Sequence, residues 1–279
     1  MRKIESKSIL ITGASTGIGR ECALYLVEQG FIVFAGVRKK TDVDSLLQEG
    51  SDCLIPLILD VLKPETIKKA LTVIEKKSSN FYGIINNAGI SYAGPLEILP
   101  MEDFQETIEV NLLGMIHVIK TFLPLIRKNQ GRIVNIGSVS GYLSSPSASA
   151  YCASKFAVEA VSEALQLELI PFNVQVSIVA PGAIYTPIWE KGKKIWDEKF
   201  KKANPELQDS YKTLINFSLR YMKSRQWTPV SKVAIAVGKA LMDRKPKMRY
   251  IVGTDAKLMF LLSKFPMKWR IFILRKIIY

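Results

Sequence analysis

Short runs of almost wholly apolar residues, each followed by a segment of helical character, recur along much of this chain. No other feature restricts its fold so strongly. Residues 8–12, 31–37, 53–59, 82–86, 132–138 and 174–179 read as strands. They are apolar at nearly every position rather than at alternate ones, as a strand must be when both faces of its sheet are covered. Between them, residues 17–28, 65–77, 102–128 and 151–169 read as helices. This alternation predicts an α/β fold, a parallel sheet doubly wound by helices on both faces. Pro56 interrupts the third run, and proline lacks the N–H that an interior ladder requires. Residues 229–242 add a helix and 249–252 a last short strand. At 279 residues and 48% hydrophobic composition, the chain suits one large domain, 1–279.

The first strand runs straight into Thr12-Gly13-Ala14-Ser15-Thr16-Gly17-Ile18-Gly19, which opens the first helix. Glycines permit the tight turn and let backbone N–H groups approach a pyrophosphate, and the helix N-terminus adds a favourable dipole. The Gly-x-x-x-Gly-x-Gly spacing differs from the commoner dinucleotide fingerprint. Its weight comes from its place after the first strand of an alternating pattern.

Tyr151-Cys152-Ala153-Ser154-Lys155 carries the second signal, with Ser138 thirteen residues upstream. Four residues are one helical turn, so the Tyr151 phenol and the Lys155 ammonium share a face. A phenol near pKa ~10 is a poor acid or base at neutral pH. A cation beside it favours the phenolate and lowers that value, giving a tunable acid/base. Singly, a tyrosine, serine or asparagine at such a place also reads as packing or capping. The set is what points to chemistry. His117 is the only histidine, reads as packed or surface, and with no cysteine cluster argues against zinc. Cys152 has no neighbouring base and reads as packing.

Four motifs therefore occur in order: Thr12-Gly13-x-x-x-Gly17-Ile18-Gly19, Asn86-Asn87-Ala88-Gly89, Ser138 with Tyr151-x-x-x-Lys155, and Pro181-Gly182. The ordered set resembles the short-chain dehydrogenase/reductase family over about residues 7–186, and more loosely its members acting on steroids, retinoids and other apolar carbonyls. The resemblance implies a Rossmann fold and hydride transfer between the nicotinamide C4 and a carbonyl carbon. It implies Tyr151 as acid/base, Lys155 lowering its pKa and holding the nicotinamide ribose, and Ser138 bonding the substrate oxygen. It implies Asn111 holding a water of the proton relay. Ser140 lies near, but the thirteen-residue interval favours Ser138. The implied cofactor site comprises Gly13, Ser15, Thr16, Gly17, Ile18 and Gly19, with Asp60 and Val61 at the adenine. Asn87, Ala88 and Gly89 line the adenosine side, and Pro181, Gly182, Ile184 and Thr186 lie at the nicotinamide. The resemblance also implies a homodimer or homotetramer paired through the helices at 102–128 and 151–169.

An acidic residue at the end of the second strand would bind a ribose 2′-hydroxyl and repel a 2′-phosphate. That position holds Val37, followed by Arg38, Lys39 and Lys40. Arginine suits a phosphate, so the expected cofactor is NADP(H), with NAD(H) as the alternative.

Past the last motif the family pattern fades. Residues 187–228 read as a helical substrate lid in which Ile188, Trp189, Ile195, Trp196 and Phe200 supply apolar surface. Leu214, Phe217, Leu219, Tyr221 and Met222 continue it. Two readings compete for them: the lining of a bulky apolar substrate, or packing of the lid on the core. Residues 255–279 mix apolar bulk with Lys and Arg, too interrupted to span a bilayer and broken by Pro266. Such a tail suits an anionic membrane interface, a cleft cover or a subunit contact. The net charge is +14, yet no nucleic-acid reader module is present. Three cysteines without framework spacing, and no signal-peptide pattern, suggest a reducing cytoplasmic setting with peripheral membrane contact open. The expectation is an oxidoreductase of bulky apolar alcohols or ketones. A 3-oxoacyl-thioester reductase and a non-catalytic nucleotide-binding relative are the rivals.

Overall fold

The computed structural model describes residues 7–186, 204–224 and 227–278. Ile188, Trp189, Ile195, Trp196 and Phe200 of the expected lid lie outside the described residues, as do the side chains of Leu219, Tyr221 and Met222. Strand β1 (Ser8–Thr12) leads to α1 (Gly17–Glu28), β2 (Ile32–Val37), α2 (Lys40–Leu47), β3 (Leu54–Ile58) and α3 (Pro64–Lys77). Next come β4 (Phe81–Asn86) and a long rod made of α4 (Met101–Ile108), a π-helical segment (Glu109–Gly114) and α5 (Met115–Lys128). Then follow β5 (Arg132–Ile136), a 3₁₀ turn (Val139–Gly141), α6 (Ser149–Glu168) and β6 (Gln175–Pro181). The rest comprises α7 (Pro205–Ser210), α8 (Lys212–Ser224), α9 (Val230–Met242), β7 (Arg249–Val252), α10 (Thr254–Leu262) and α11 (Met267–Ile278).

All strand pairs in the seven-stranded sheet are parallel, in the order β3-β2-β1-β4-β5-β6-β7. The alternation anticipated a doubly wound Rossmann-like sheet, and this is one. Its order reverses between β1 and β4, and the crevice beyond the strand ends at such a point is where this architecture takes its ligand. Pro56 is accommodated because β3 is an edge strand. The ladder to β2 runs through Cys53 O and Leu59 N, and Pro56 faces outward between them.

The uniform apolarity of the strands has the expected cause. Ile9 and Ile11 face a core layer with Cys22 and Leu26 of α1 and Val233 and Val237 of α9. Leu10, between them, faces the opposite layer with Ile74 of α3, Phe122 of α5 and Val158 of α6. Successive side chains thus enter different cores, and neither can be polar. Buried amides form a chain between the layers: Asn86 donates to Asn135 at 2.8 Å, and Asn135 donates to Ser162 of α6 at 2.8 Å.

Two features depart from the sequence reading. Helix α2 was not anticipated, and the single helix expected over 102–128 widens to a π turn at Glu109–Gly114. The rod Met101–Lys128 is long and apolar enough, by length and composition, to cross a membrane. Here one apolar face of it, with Val118, Ile119, Phe122 and Ile126, is buried against the sheet. The break expected at Pro266 is present, with α10 ending at Leu262 and α11 beginning at Met267.

Candidate active site

The glycine loop leaves β1 at the point where the sheet order reverses, and its shape is held from below. Thr12 is buried, and its Oγ1 accepts from the backbone N–H groups of Asn87 and Ala88, each at 3.0 Å. Asn87 Nδ2 returns two bonds, to Thr12 O at 3.0 Å and Gly13 O at 2.9 Å. The ends of β1 and β4 are thereby strapped together. Thr12 appeared in the sequence motif, yet its holding role was not read from it. Gly13 has φ +66°, and a Cβ there would lie 2.9 Å from the Cα of Ala88. At Gly19 a Cβ would strike the Gly13 carbonyl and the Asn87 amide. Only glycine leaves the cradle open. Helix α1 begins with no side-chain cap at Thr16 and no acidic residue in its first turn. Its free N–H groups and dipole are therefore available to an anion, and a pyrophosphate fits the geometry at Ser15, Thr16, Gly17 and Ile18.

Around this loop, Val37 closes β2 and Arg38 follows it, exposed. Asp60 sits just past β3; its carboxylate accepts from Leu62 N at 3.0 Å and its backbone N–H donates to Thr66 Oγ1 at 3.0 Å. Neighbouring Val61 is buried. Past β6, the Pro181–Thr186 loop is pinned by Asp255 of α10, whose Oδ2 accepts from Ala183 N at 2.7 Å. Gly182 lets this carboxylate approach, for a Cβ there would collide with it. Ile184 and Thr186 are buried. Asp255 was not singled out from the sequence; nothing in its local pattern distinguishes it from a helix-start aspartate.

The second cluster lies at the end of β5. Ser138 is buried, and its Oγ accepts from Ser140 N at 3.1 Å, which orients it at the head of the 3₁₀ turn. Tyr151 and Lys155 project from the first turns of α6, with the Lys155 ammonium 5.7 Å from the Tyr151 ring centroid. Asn111 is buried in the π segment. Its Nδ2 donates to Ile90 O at 2.9 Å and to Ser154 Oγ at 3.0 Å, and its Oδ1 accepts from Ile90 N at 2.8 Å. Ser154 in turn donates to Tyr151 O at 2.7 Å. The Asn111 amide thus ties the segment after β4 to the start of α6 and has both its N–H groups in use.

The electrostatics differ from the sequence expectation. Burial pushes the Tyr151 phenol up to about 12, and a hydrogen bond with Ser138 only partly counteracts it. Lys155 is not among the groups that lower it, and its Nζ donates to the buried Ile136 carbonyl at 2.7 Å. Burial also lowers the Lys155 ammonium from 10.5 to about 8. Desolvation outweighs the ion–phenolate attraction in this arrangement. Cys152 is buried with its thiol shifted upward by burial, in keeping with packing. His117 is exposed on α5. Among the described residues no group of His, Cys, Asp or Glu could hold a metal.

A further cluster was not read from the sequence. Glu159, two turns beyond Tyr151 on α6, is buried and accepts from Tyr142 and from Arg249 of β7, the latter at 2.8 Å. Arg249 also reaches Glu163 at 2.7 Å. The Tyr142 ring meets Phe260 of α10 edge-on at 4.9 Å. These contacts fix the loop after Ser138 against α6, β7 and α10.

A glycine cradle at a sheet switch point, beside a tyrosine and a buried lysine one helical turn apart, is the architecture of a nicotinamide-dinucleotide oxidoreductase. Comparison with known proteins agrees: the short chain dehydrogenase family matches residues 7–195. The chain belongs to that family, whose members act on alcohol or carbonyl groups with nicotinamide cofactors. It is 34% identical to short-chain dehydrogenase/reductase family 9C member 7 of Bos taurus, over 99% of this chain and 91% of that protein. It is 35% identical to retinol dehydrogenase 5 of Mus musculus, over 91% of this chain and 82% of that protein. A short chain dehydrogenase from Burkholderia cenocepacia, solved in complex with NADP, superposes with TM-score 0.74 at 25% identity, covering 97% of this chain and 98% of the other.

Proposed function

We propose that this protein is an NADP(H)-dependent reductase and dehydrogenase of bulky apolar carbonyls and alcohols, with Tyr151 as its acid/base. The convergence of Ser138, Tyr151, Lys155 and Asn111 at the end of β5 carries the reading. A bound nicotinamide supplies or accepts the hydride. Ser138 and the Tyr151 hydroxyl hold the substrate oxygen. Burial keeps the Tyr151 phenol protonated at neutral pH, the form that the reducing direction requires. Lys155 would hold the nicotinamide ribose, its Nζ being fixed at the end of β5 by the Ile136 carbonyl. Asn111 works as a brace for α6. Any water it holds belongs to its backbone, since its amide N–H groups are committed to Ile90 and Ser154.

Arg38, exposed at the end of β2 where no acidic residue stands, suits a 2′-phosphate. The NADP bound to the Burkholderia protein supports that choice. For the substrate, the described part of the lid brings Leu214 and Ile215 inward on α8. Tyr211, just before α8, donates to Glu97 at 2.8 Å, so this end of the lid closes over the segment that follows β4. A retinol dehydrogenase among the relatives points the same way. Pairing of two copies through the outer faces of the 102–128 rod and α6 fits the exposed Leu113, Phe156 and Leu167 there. The domain assignment 1–279 and a cytoplasmic setting belong to the same proposal.

The test is NADPH and NADH oxidation against steroid, retinoid, long-chain and acyl-thioester carbonyls, with Tyr151→Phe as control. Expected is turnover of a bulky apolar carbonyl with NADPH, lowered about 10²–10⁴-fold in the variant. Turnover equal in both proteins would refute the role of Tyr151, and preference for acyl thioesters would refute the substrate class.

A further inference from the structure

Large apolar side chains left exposed in this fold concentrate in α10, α11 and the turn between them. Leu258 is 68% exposed, Met267 65%, Leu261 60%, Ile271 58% and Trp269 57%. No residue of α11 is buried. A soluble surface seldom gathers so much apolar area on one segment unless something covers it. The charged groups around it have one sign. Lys257, Lys264, Lys268, Arg275 and Lys276 are exposed on the same two helices and the turn between them. The single acid on them, Asp255, points inward to Ala183. Lys264 Nζ lies 4.6 Å from the Phe260 ring centroid and Lys276 Nζ lies 4.7 Å from that of Phe272. Trp269 and Phe272 stack edge-on at 6.3 Å. Cations folded over aromatic rings beside a tryptophan are the composition of a helix that lies in a headgroup layer, rings down and ammonium groups up.

We propose that the outer face of α10 and α11 docks on an anionic lipid surface. A second copy of the chain fits this face poorly. A two-fold contact would set the same cations against one another, with no outward acid to pair them. Lipid phosphates and serine headgroups supply the missing charge, and the acyl boundary receives the paired rings of Trp269 and Phe272. The location gives the docking a purpose. Helix α10 packs on the 3₁₀ turn that follows Ser138, and α11 packs on α8 of the lid. The docked face therefore borders the mouth of the cleft, where an apolar substrate dissolved in the bilayer would enter. The docking stands on the exposed face alone and does not depend on which substrate is used.

The test is flotation of the full chain with vesicles of phosphatidylcholine alone and of phosphatidylcholine mixed with phosphatidylserine. Two double variants are compared, Trp269→Asp/Phe272→Asp and Lys268→Glu/Arg275→Glu, each shown by thermal unfolding to be folded. The expected result is preferential binding to the anionic vesicles, weakened by salt, and at least about tenfold weaker in both variants. Failure of the wild type to float, equal flotation with both vesicle types, or unchanged binding by both variants would overturn it. So would self-association in sedimentation velocity that the variants abolish, without lipid binding by the wild type. None of these readings involves turnover, so they stand or fall apart from the reductase assay.

Discussion

Lys155 offers the sharpest quantitative test of the site. Its side chain is buried, its ammonium meets one backbone carbonyl, and burial lowers its pKa from 10.5 to about 8. A group whose charged form is disfavoured in the fold binds fewer protons folded than unfolded between these two values. Stability must therefore rise with pH across that window. Below pH 8 the cost of holding the ammonium is constant. The separation of 10.5 and about 8 makes it about 3 kcal/mol at 1.36 kcal/mol per pH unit. Lys155→Met removes the titrating group and keeps much of the volume. At pH 7 the variant escapes this cost, and by pH 10.5 the wild type has escaped it too. The stability difference between the two proteins should then shift by about 3 kcal/mol in favour of the wild type from pH 7 to pH 10.5. With an unfolding entropy near 2.1 cal/mol/K per residue over 279 residues, that is a relative movement of roughly 5 °C in Tm. Paired thermal melts across this range measure it, and pH effects common to both proteins cancel. A Tm difference independent of pH would refute the argument and mean that the ammonium is fully solvated or firmly paired in the fold.

Other expectations follow from single contacts. Arg249→Met strands the buried Glu159 carboxylate and should cost about 3 kcal/mol in chemical denaturation, whereas Glu163→Gln, at the exposed arm of the same fork, should cost less than about 1 kcal/mol. Equal losses would mean that burial of Glu159 does not matter. Arg38→Glu should lower the ratio of kcat/KM for NADPH over NADH at least about tenfold, as loss of a charge-assisted bond implies; an unchanged ratio would place the 2′-phosphate elsewhere. Gly13→Ala forces a positive φ on alanine and a contact with Ala88, and should cost about 1–3 kcal/mol while raising the NADPH dissociation constant in a fluorescence titration. Asp255→Ala leaves Ala183 N–H unbonded and should raise the KM for the cofactor with little change in the CD spectrum.

How much of this was legible beforehand depended on the range of the interaction concerned. Strands β1 and β7 were placed at their observed bounds and the other strands within two residues, because the interior strands feed two cores and so carry an unbroken apolar signal. The glycine cradle and the Tyr151–Lys155 pair were legible because their geometry is local to one turn. The π segment was not, since the apolar stripe continues through it and one turn wider by a residue leaves no trace in composition. Nor was α2, an eight-residue helix with a weak apolar face. Thr12, Asp255 and the Tyr142–Glu159–Arg249 set were missed for another reason: each acts on a residue far away in the chain, and nothing nearby reports the partner. The Tyr151 pKa went the other way from the sequence argument because adjacency along a helix says nothing of how strongly the fold desolvates the phenol.

The wide turn at Glu109–Gly114 also sets a limit on length variation in this rod. Each residue of an α-helix advances the side chains about 100° around the axis. The residues of the π segment turn about as far around the axis as one residue fewer of α-helix, so deleting one of them would close the rod as uninterrupted α-helix with the faces of α4 and α5 kept in register. A deletion within α5, with the wide turn kept, would instead rotate the rod before it by that angle, and the α4 side chains would turn away from their seat on α6. The surplus residue is thus absorbed in one wide turn between two helices with different seats, α4 on α6 and α5 on the sheet. A one-residue deletion should therefore leave the fold intact in the wide turn and in the loops at either end of the rod, and disrupt it within α5.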